Sequence, residues 1–270
     1  MKNYESKNLR NVAVLGHGGS GKTIFTEAMA YRTKLIDRMG KVEDRSTISD
    51  YDAEEQARSI SINTSLIPLE YAGVKINLLD APGYFDFIGE QQCALRVADA
   101  AIILVDATSG VEVGVEKAWE AISEAKIPAM FVINKLDREN VEFGKAAESI
   151  KELIGTKAAF FNMPVNEGVG FNKLYDIVGD KTYEYDKGNA KEIETPDDIK
   201  AKAEEYKENL METAASASEE LMEKYLEGEQ LTAKEINSAI KEAVLSGEMA
   251  PIISISALNA IGIEIGRAHV

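Results

Sequence analysis

Sulfur, positive charge and long apolar runs are all scarce in this chain. Cys93 is the single cysteine among 270 residues, so no disulfide forms within the chain, and a reducing compartment is the simpler expectation. No stretch approaches the roughly 18 consecutive apolar residues that a membrane-crossing helix needs. The first ten residues are polar and lack the apolar core of a secretory signal, so a cytoplasmic location is expected. Basic residues number 30 against 46 acidic ones, a net charge of −16. That excludes a surface gripping nucleic acid by charge alone, and no independent sequence-specific nucleic-acid binding is expected. A local basic patch docking on a ribonucleoprotein remains compatible with it. No internal repeat is visible. What is present is an ordinary globular balance, 45% hydrophobic and 28% charged, which excludes wholesale disorder. The length allows one large domain or one and a half, with a sizeable core.

Up to about residue 157 short apolar runs alternate with amphipathic stretches. Residues 11–15, 100–105 and 129–133 have the continuous apolar character of strands buried on both faces. Residues 22–32, 115–125 and 141–154 read as helices. Residues 66–71 and 74–79, joined by Ala72 and Gly73, read as a β-hairpin. This rhythm predicts an α/β fold with a mainly parallel sheet, helices on both faces and ligands at the carboxyl ends of the strands. Beyond Lys157 the composition shifts. Strand-like pieces occupy 158–185, and Pro196 opens a helix expected to run to about Tyr225 and to end at Gly228. Thr232 with Glu235 forms a capping-box pattern for a second helix, stopped at Gly247. Residues 252–255 return to the buried-strand style. The expectation is therefore one α/β domain, 1–157 and 252–264, interrupted by an inserted α+β subdomain at 158–251.

Three short elements carry chemistry. Gly16, His17, Gly18, Gly19, Ser20, Gly21, Lys22 and Thr23 match G-x-x-x-x-G-K-[ST] between a predicted strand and a predicted helix. Such a loop turns backbone N–H groups onto phosphates, Lys22 reaches the β and γ phosphates, and the Thr23 hydroxyl ligates Mg²⁺. Asp80 ends a strand and runs into Ala81, Pro82, Gly83 and Tyr84. It supplies an acidic group on the metal side, and the Gly83 N–H can approach a γ-phosphate. Asn134, Lys135, Leu136 and Asp137 follow another strand. The Asp137 carboxylate can accept both guanine N1–H and the exocyclic amine, donors that adenine lacks. Lys135 lies along the base, and Asn134 bridges back to the phosphate loop. A backbone N–H among Ser256, Ala257 and Leu258 can read the guanine O6. Together they select GTP and GDP over adenine nucleotides.

In this order the elements resemble the translational GTPases, most closely the elongation factor G family and its relatives, over about residues 8–264. Residues 80–86 look like that family's second switch segment, and 97–107 and 110–114 like its next strand and loop. The insertion before Ser256 is similar to the extra subdomain of elongation factor G. The resemblance implies a phosphate-loop G domain and GTP hydrolysis coupled to work at the factor site of the large ribosomal subunit. It also implies contact between the inserted subdomain and the acidic stalk protein, and a monomer.

Departures from the family pattern bear on mechanism. Tyr84 stands where the family has a water-orienting histidine. A phenol with a pKa of about 10 is a poor base at neutral pH, and neither His17 nor His269 is a substitute. Lys22, Gly83 and Tyr84 are the catalytic candidates, with a low intrinsic rate expected. Residues 58–62 align with the family's first switch, so Ser61 takes the place of a metal-binding threonine and Thr23, Ser61 and Asp80 form the Mg²⁺ set. Gly19 replaces a common aspartate of the monovalent-cation site, and Ile24 replaces a threonine near the α-phosphate. Trp119 reads as a packing anchor, the acidic stretch 192–208 as a solvated helix face, and Phe160 with Phe161 as subdomain core. After Ile263 the family continues into an apolar helix. Residues 265–270 depart from that and are read as a non-native tail on a shortened reading frame.

Overall fold

The structure, a computed structural model, describes residues 3–216, 219–227 and 232–263. Strand β1, Leu9–Gly16, ends in four buried residues and feeds through the glycine-rich loop into α1, Lys22–Arg32. A long connection holding the short helix α2, Ala53–Arg58, leads to β2, Ser65–Tyr71, and β3, Val74–Asp80. Ala72 and Gly73 join them at φ 46° and 82°, the doubly left-handed turn that matches the twist of a hairpin. Then come α3 (Ile88–Val97), β4 (Ala100–Asp106), α4 (Val113–Ala125), β5 (Ala129–Asn134) and α5 (Phe143–Ile154). Four short strands and a hairpin partner follow: β6 (Ala158–Phe160), β7 (Asn162–Pro164), β8 (Lys173–Asp176), β9 (Lys181–Asp186) and β10 (Asn189–Ile193). Helices α6 (Asp197–Ala215), α7 (Glu219–Leu226) and α8 (Ala233–Ser246) precede the last strand, β11 (Ala250–Ser254).

The central sheet has the order β2-β3-β1-β4-β5-β11-β6. Only the β2–β3 pair is antiparallel; the rest of the ladder is parallel. The strand order turns at β1, which has β3 on one side and β4 on the other, so a crevice opens at the carboxyl ends, where α/β sheets bind ligands. The glycine-rich loop, Asp80, Asp106 and Asn134 all lie at that edge. A second sheet, β10-β9-β8-β7, is wholly antiparallel. The two sheets are stitched by Asn162, whose amide accepts from Ser254 N (2.6 Å) and donates to Ser254 O (3.3 Å).

Three expectations change. β6 pairs with β11 in register Ala158↔Ala250 to Phe160↔Ile252, so the central sheet claims residues beyond the expected boundary at 157/158 and begins again at Ala250. Phe160 accordingly packs in the main core, where its ring meets Tyr206 of α6 at 4.8 Å. The single helix expected from Pro196 to Tyr225 is two helices. α6 ends at Ala215, where the Thr213 and Ser216 hydroxyls bond back to the carbonyls of Asn209 and Thr213. Such bonds compete with the helical ladder. α3 had no counterpart in the sequence reading because only Ala94 and Leu95 of it are buried. Gly228, Glu264 and the suspected tail, 265–270, lie outside the described residues.

One large apolar core runs from α4 and α5 through the sheet into α6 and α8, joining Phe131, Ile150 and Phe160 to Ile199, Leu210 and Ile240. A smaller core lies under α1, around Val14, Phe25, Leu78, Leu104 and Ile255. Trp119 packs on the large core with its ring 5.5 Å from that of Phe131.

Candidate functional site

The loop between β1 and α1 is built around its backbone. Among the N–H groups of residues 18–21, only that of Ser20 has a protein acceptor among the described residues, the carbonyl of His17 at 3.2 Å. Helix α1 has no side-chain cap: Gly21 stands at its N-cap with φ 93°. The first N–H groups of α1 therefore point into the crevice with the positive end of the helix dipole behind them, an arrangement suited to an anion. A Cβ on Gly21 would come within 2.5 Å of Asn134 Nδ2, so both space and backbone conformation require glycine there. Lys22 is buried, and its ammonium donates to Gly16 O (3.2 Å) and His17 O (3.0 Å). Burial lowers its pKa to about 8, against the opposing pull of the Asp80 and Asp50 charges.

Asp80 lies at the end of β3, beside Val14 in the ladder. Both its oxygens are buried and have no hydrogen-bond partner among the described residues. Burial raises its pKa to about 7; the Lys22 charge works against the rise and the Asp50 charge adds to it. Close by, the Thr23 hydroxyl is 3.2 Å from the Ser61 hydroxyl, and Ser61 donates to Asp50 Oδ1 at 2.8 Å. Two hydroxyls and two carboxylates, one of them without a partner, are hard oxygen donors of the kind Mg²⁺ takes alongside phosphate oxygens. The residues present thus fit the ion. No group of three or more His, Cys, Asp or Glu side chains suited to a metal occurs among the described residues. A cation here would draw the rest of its shell from the nucleotide and water. Asp50 was not anticipated. In sequence Asp50 and Asp52 look alike two residues apart; Asp52 caps α2, while Asp50 is buried facing Ser61, a difference set by the path of the loop.

The segment after Asp80 lies on the phosphate loop. Ala81 N donates to Val14 O at 3.3 Å, and Pro82 O accepts from Gln91 Nε2 at 2.7 Å. At Gly83 a Cβ would run into the Lys22 ammonium and come within 2.9 Å of Gly18 N. The backbone of residue 83 therefore faces the group that would hold the terminal phosphate. The half-exposed Tyr84 places the hydroxyl end of its ring over Gly18, where a Cβ would meet Cε1 and Cζ at 3.1 Å. His17 stands with Nε2 3.6 Å from Glu112 Oε1 and its ring edge-on to Phe85.

At the other end, Asn134 is buried and bridges two loops. Its Nδ2 donates to Ser20 O at 3.0 Å, and its Oδ1 accepts from Ala257 N at 2.9 Å. Lys135 takes a left-handed backbone (φ 70°) and pairs with Asp106 Oδ2 at 2.6 Å. Burial pushes the Asp106 carboxyl up, but bonds from Lys135 and Thr108 outweigh it and hold the pKa below the usual carboxylate range. Asp106 was also missed, since its partner lies on a different strand. Leu136 is fully buried. Asp137 is half-buried, and no hydrogen bond or ion pair engages its carboxylate among the described residues. Of the three base-loop candidates Ser256, Ala257 and Leu258, Ser256 N is taken by Ile261 O (3.1 Å) and Ala257 N by Asn134. Leu258 N has no acceptor among the described residues. The structure thus gathers the predicted phosphate, metal and base residues along one edge of the sheet.

The model of the family described as the elongation factor Tu GTP binding domain matches residues 7–267. A crystal structure of a protein from Thermus thermophilus is similar to this one with a TM-score of 0.89 at 37% sequence identity. The match covers 94% of this chain and 38% of that one, so the chain spans well under half the length of the protein it resembles.

Proposed function

Because the chain belongs to the elongation factor Tu GTP-binding domain family, we propose that it binds GTP and GDP with Mg²⁺ and hydrolyses GTP. On this reading it is the nucleotide-binding portion of an elongation-factor-G-like translation factor acting on the ribosome. The observation that carries it is the bridge made by Asn134, which bonds the phosphate loop to the loop after β11 and leaves the Asp137 carboxylate open beside it. A triphosphate at one end and a guanine at the other then fall in a single pocket.

Within this reading residues 3–160 and 250–263 form the GTP-binding domain, and 161–249 the inserted subdomain, which contacts the acidic stalk protein of the large subunit. The protein acts as a cytoplasmic monomer. No described helix is long and apolar enough to cross a membrane. The open N–H groups of the loop and α1 bind the phosphates, and Lys22 exchanges its two carbonyl partners for phosphate oxygens. Lys22 thereby stabilises charge on the transferring phosphoryl group. Gly83 N–H binds the terminal phosphate, and the Tyr84 hydroxyl orients the attacking water. Thr23, Ser61 and Asp80 hold Mg²⁺, with Asp50 behind Ser61; the ion, when bound, offsets phosphate charge. Asp137 and Leu258 N read the base.

A second reading is a GTP-dependent interaction switch with slow turnover, and Tyr84 favours it, since its ring lies over Gly18 of the phosphate loop where the family has a water-orienting histidine. Single-turnover hydrolysis with and without ribosomes separates the two. Strong acceleration by ribosomes supports the enzyme. Its absence, together with a gain in the Tyr84→His variant, supports the switch.

A further inference from the structure

The connection between α1 and β2 spans residues 33–64 and has one short helix. Two buried glutamates hold it. Glu27 of α1 accepts from Gly40 N (2.7 Å) and Ile48 N (2.8 Å). Glu55 of α2 accepts, through the same Oε1, from Ile62 N (2.8 Å) and Asn63 N (3.0 Å). Glu55 is 1% exposed, and neither glutamate has a lysine or arginine partner among the described residues. A buried carboxylate satisfied by backbone N–H groups alone serves to fix that backbone. What Glu55 fixes is the strand of chain directly after Ser61. The turn between them is closed by Ser59 in a left-handed conformation (φ 55°) and by Ile60 N donating to Glu55 O at 3.2 Å. From the next position of α2, Gln56 Nε2 donates to Asp50 O at 3.1 Å. The helix therefore grips the chain on both sides, and between the two grips Ser61 meets Asp50 and Thr23.

We infer that Glu55 is a positioning residue for Mg²⁺: it folds residues 59–63 back on α2 so that the Ser61 hydroxyl is presented beside Thr23. This rests on the reading of Thr23, Ser61 and Asp80 as the cation site. Glu55 touches neither nucleotide nor ion and acts through Ser61. A single oxygen, Oε1, accepts both successive N–H groups, so what the position needs is an acceptor of this reach.

Two measurements on the whole chain test it. The first is hydrogen exchange without nucleotide. Slow exchange at Ile62 and Asn63 is expected in the native protein and in Glu55→Gln, which keeps an acceptor oxygen, and fast exchange in Glu55→Ala. Fast exchange in the native protein would overturn the inference. The second is the Mg²⁺ concentration needed for half-maximal GTP binding. Glu55→Ala is expected to raise it about tenfold, in the lower range for groups behind metal ligands. Ser61→Ala should raise it equally, and the double variant no further, because both act through one hydroxyl. Glu55→Gln should stay near native. GTP binding in EDTA should be the same in the native chain, Glu55→Ala and Glu55→Gln. Additive effects, or equal loss in EDTA, would overturn the role of Glu55 while leaving the cation site standing. Native GTP binding that ignores Mg²⁺ would overturn the cation site and this inference with it.

Discussion

Asp80 and Lys22 face each other in the crevice with burial pushing both toward neutrality, Asp80 to about 7 and Lys22 to about 8. The signs give a bell. Below pH 7 the carboxylate is protonated and a poor partner for a cation, so affinity for Mg²⁺·GTP falls as pH drops. Above pH 8 the ammonium loses its proton and phosphate affinity falls again. The two groups are coupled, so the limbs belong to the pair. Titrating free protein with Mg²⁺·GTP from about pH 5.5 to 9.5 is expected to show tightest binding around pH 7 to 8, losing up to about tenfold per unit on either side. A flat profile would place both groups outside the pocket. At this scale the site was partly legible in the sequence. Lys22, Asp80 and Asp137 lie in contiguous motifs whose spacing is fixed by a strand end. Asp50, Asp106 and Glu55 lie in no such run, because what brings them in is a loop path, a neighbouring strand and a short helix.

Among the elements, those with strong local signals were readable. α1 starts where the glycine-rich loop ends, and the turn at Ala72 and Gly73 specifies its hairpin. α8 has its capping box in place: Thr232 accepts from Glu235 N at 3.3 Å, and the Glu235 carboxylate accepts from Thr232 N at 2.9 Å. Hydrogen bonds from Thr232 lead the effects that lower the Glu235 pKa to about 2, helped by Lys224. Replacing Thr232 with alanine should cost about 1 kcal/mol of stability, seen as a lower denaturation midpoint. The lowered carboxylate pKa means this support is present above the ordinary value of 4.5 and is lost as pH falls toward 2. Thr232→Ala should accordingly show less acid sensitivity between those limits than the native chain. An unchanged midpoint would show the box to be inert. α3 and the break after Ala215 were not readable, since one has a thin apolar stripe and the other arises from hydroxyls bonding back to the backbone.

For the molecule as a whole, the sequence suggests one α/β domain interrupted by a subdomain at 158–251, and the packing ties the two together. β6 belongs to the central sheet, and the large core passes without interruption from Phe131 and Ile150 to Leu210 and Ile240. Denaturant unfolding followed by far-ultraviolet dichroism and by Trp119 fluorescence is therefore expected to give one coincident transition. Tyr206→Ala, which removes a partly buried ring packed on both Phe160 and Phe143, should lower stability by about 1 to 3 kcal/mol, less than the loss of a fully buried ring costs. Two separated transitions would show that the insertion folds by itself. The charge of −16 is consistent with a partner surface confined to local patches. The central claim is that one crevice, phosphate loop at one end and Asp137 at the other, selects a guanine nucleotide. Calorimetric titration of folded protein with GTP and with ATP, each with Mg²⁺, tests it most directly. Binding of GTP at least about a hundredfold tighter than ATP is expected, because adenine leaves the Asp137 carboxylate without its two donors. Equal affinity for the two, or uptake of neither, would contradict it.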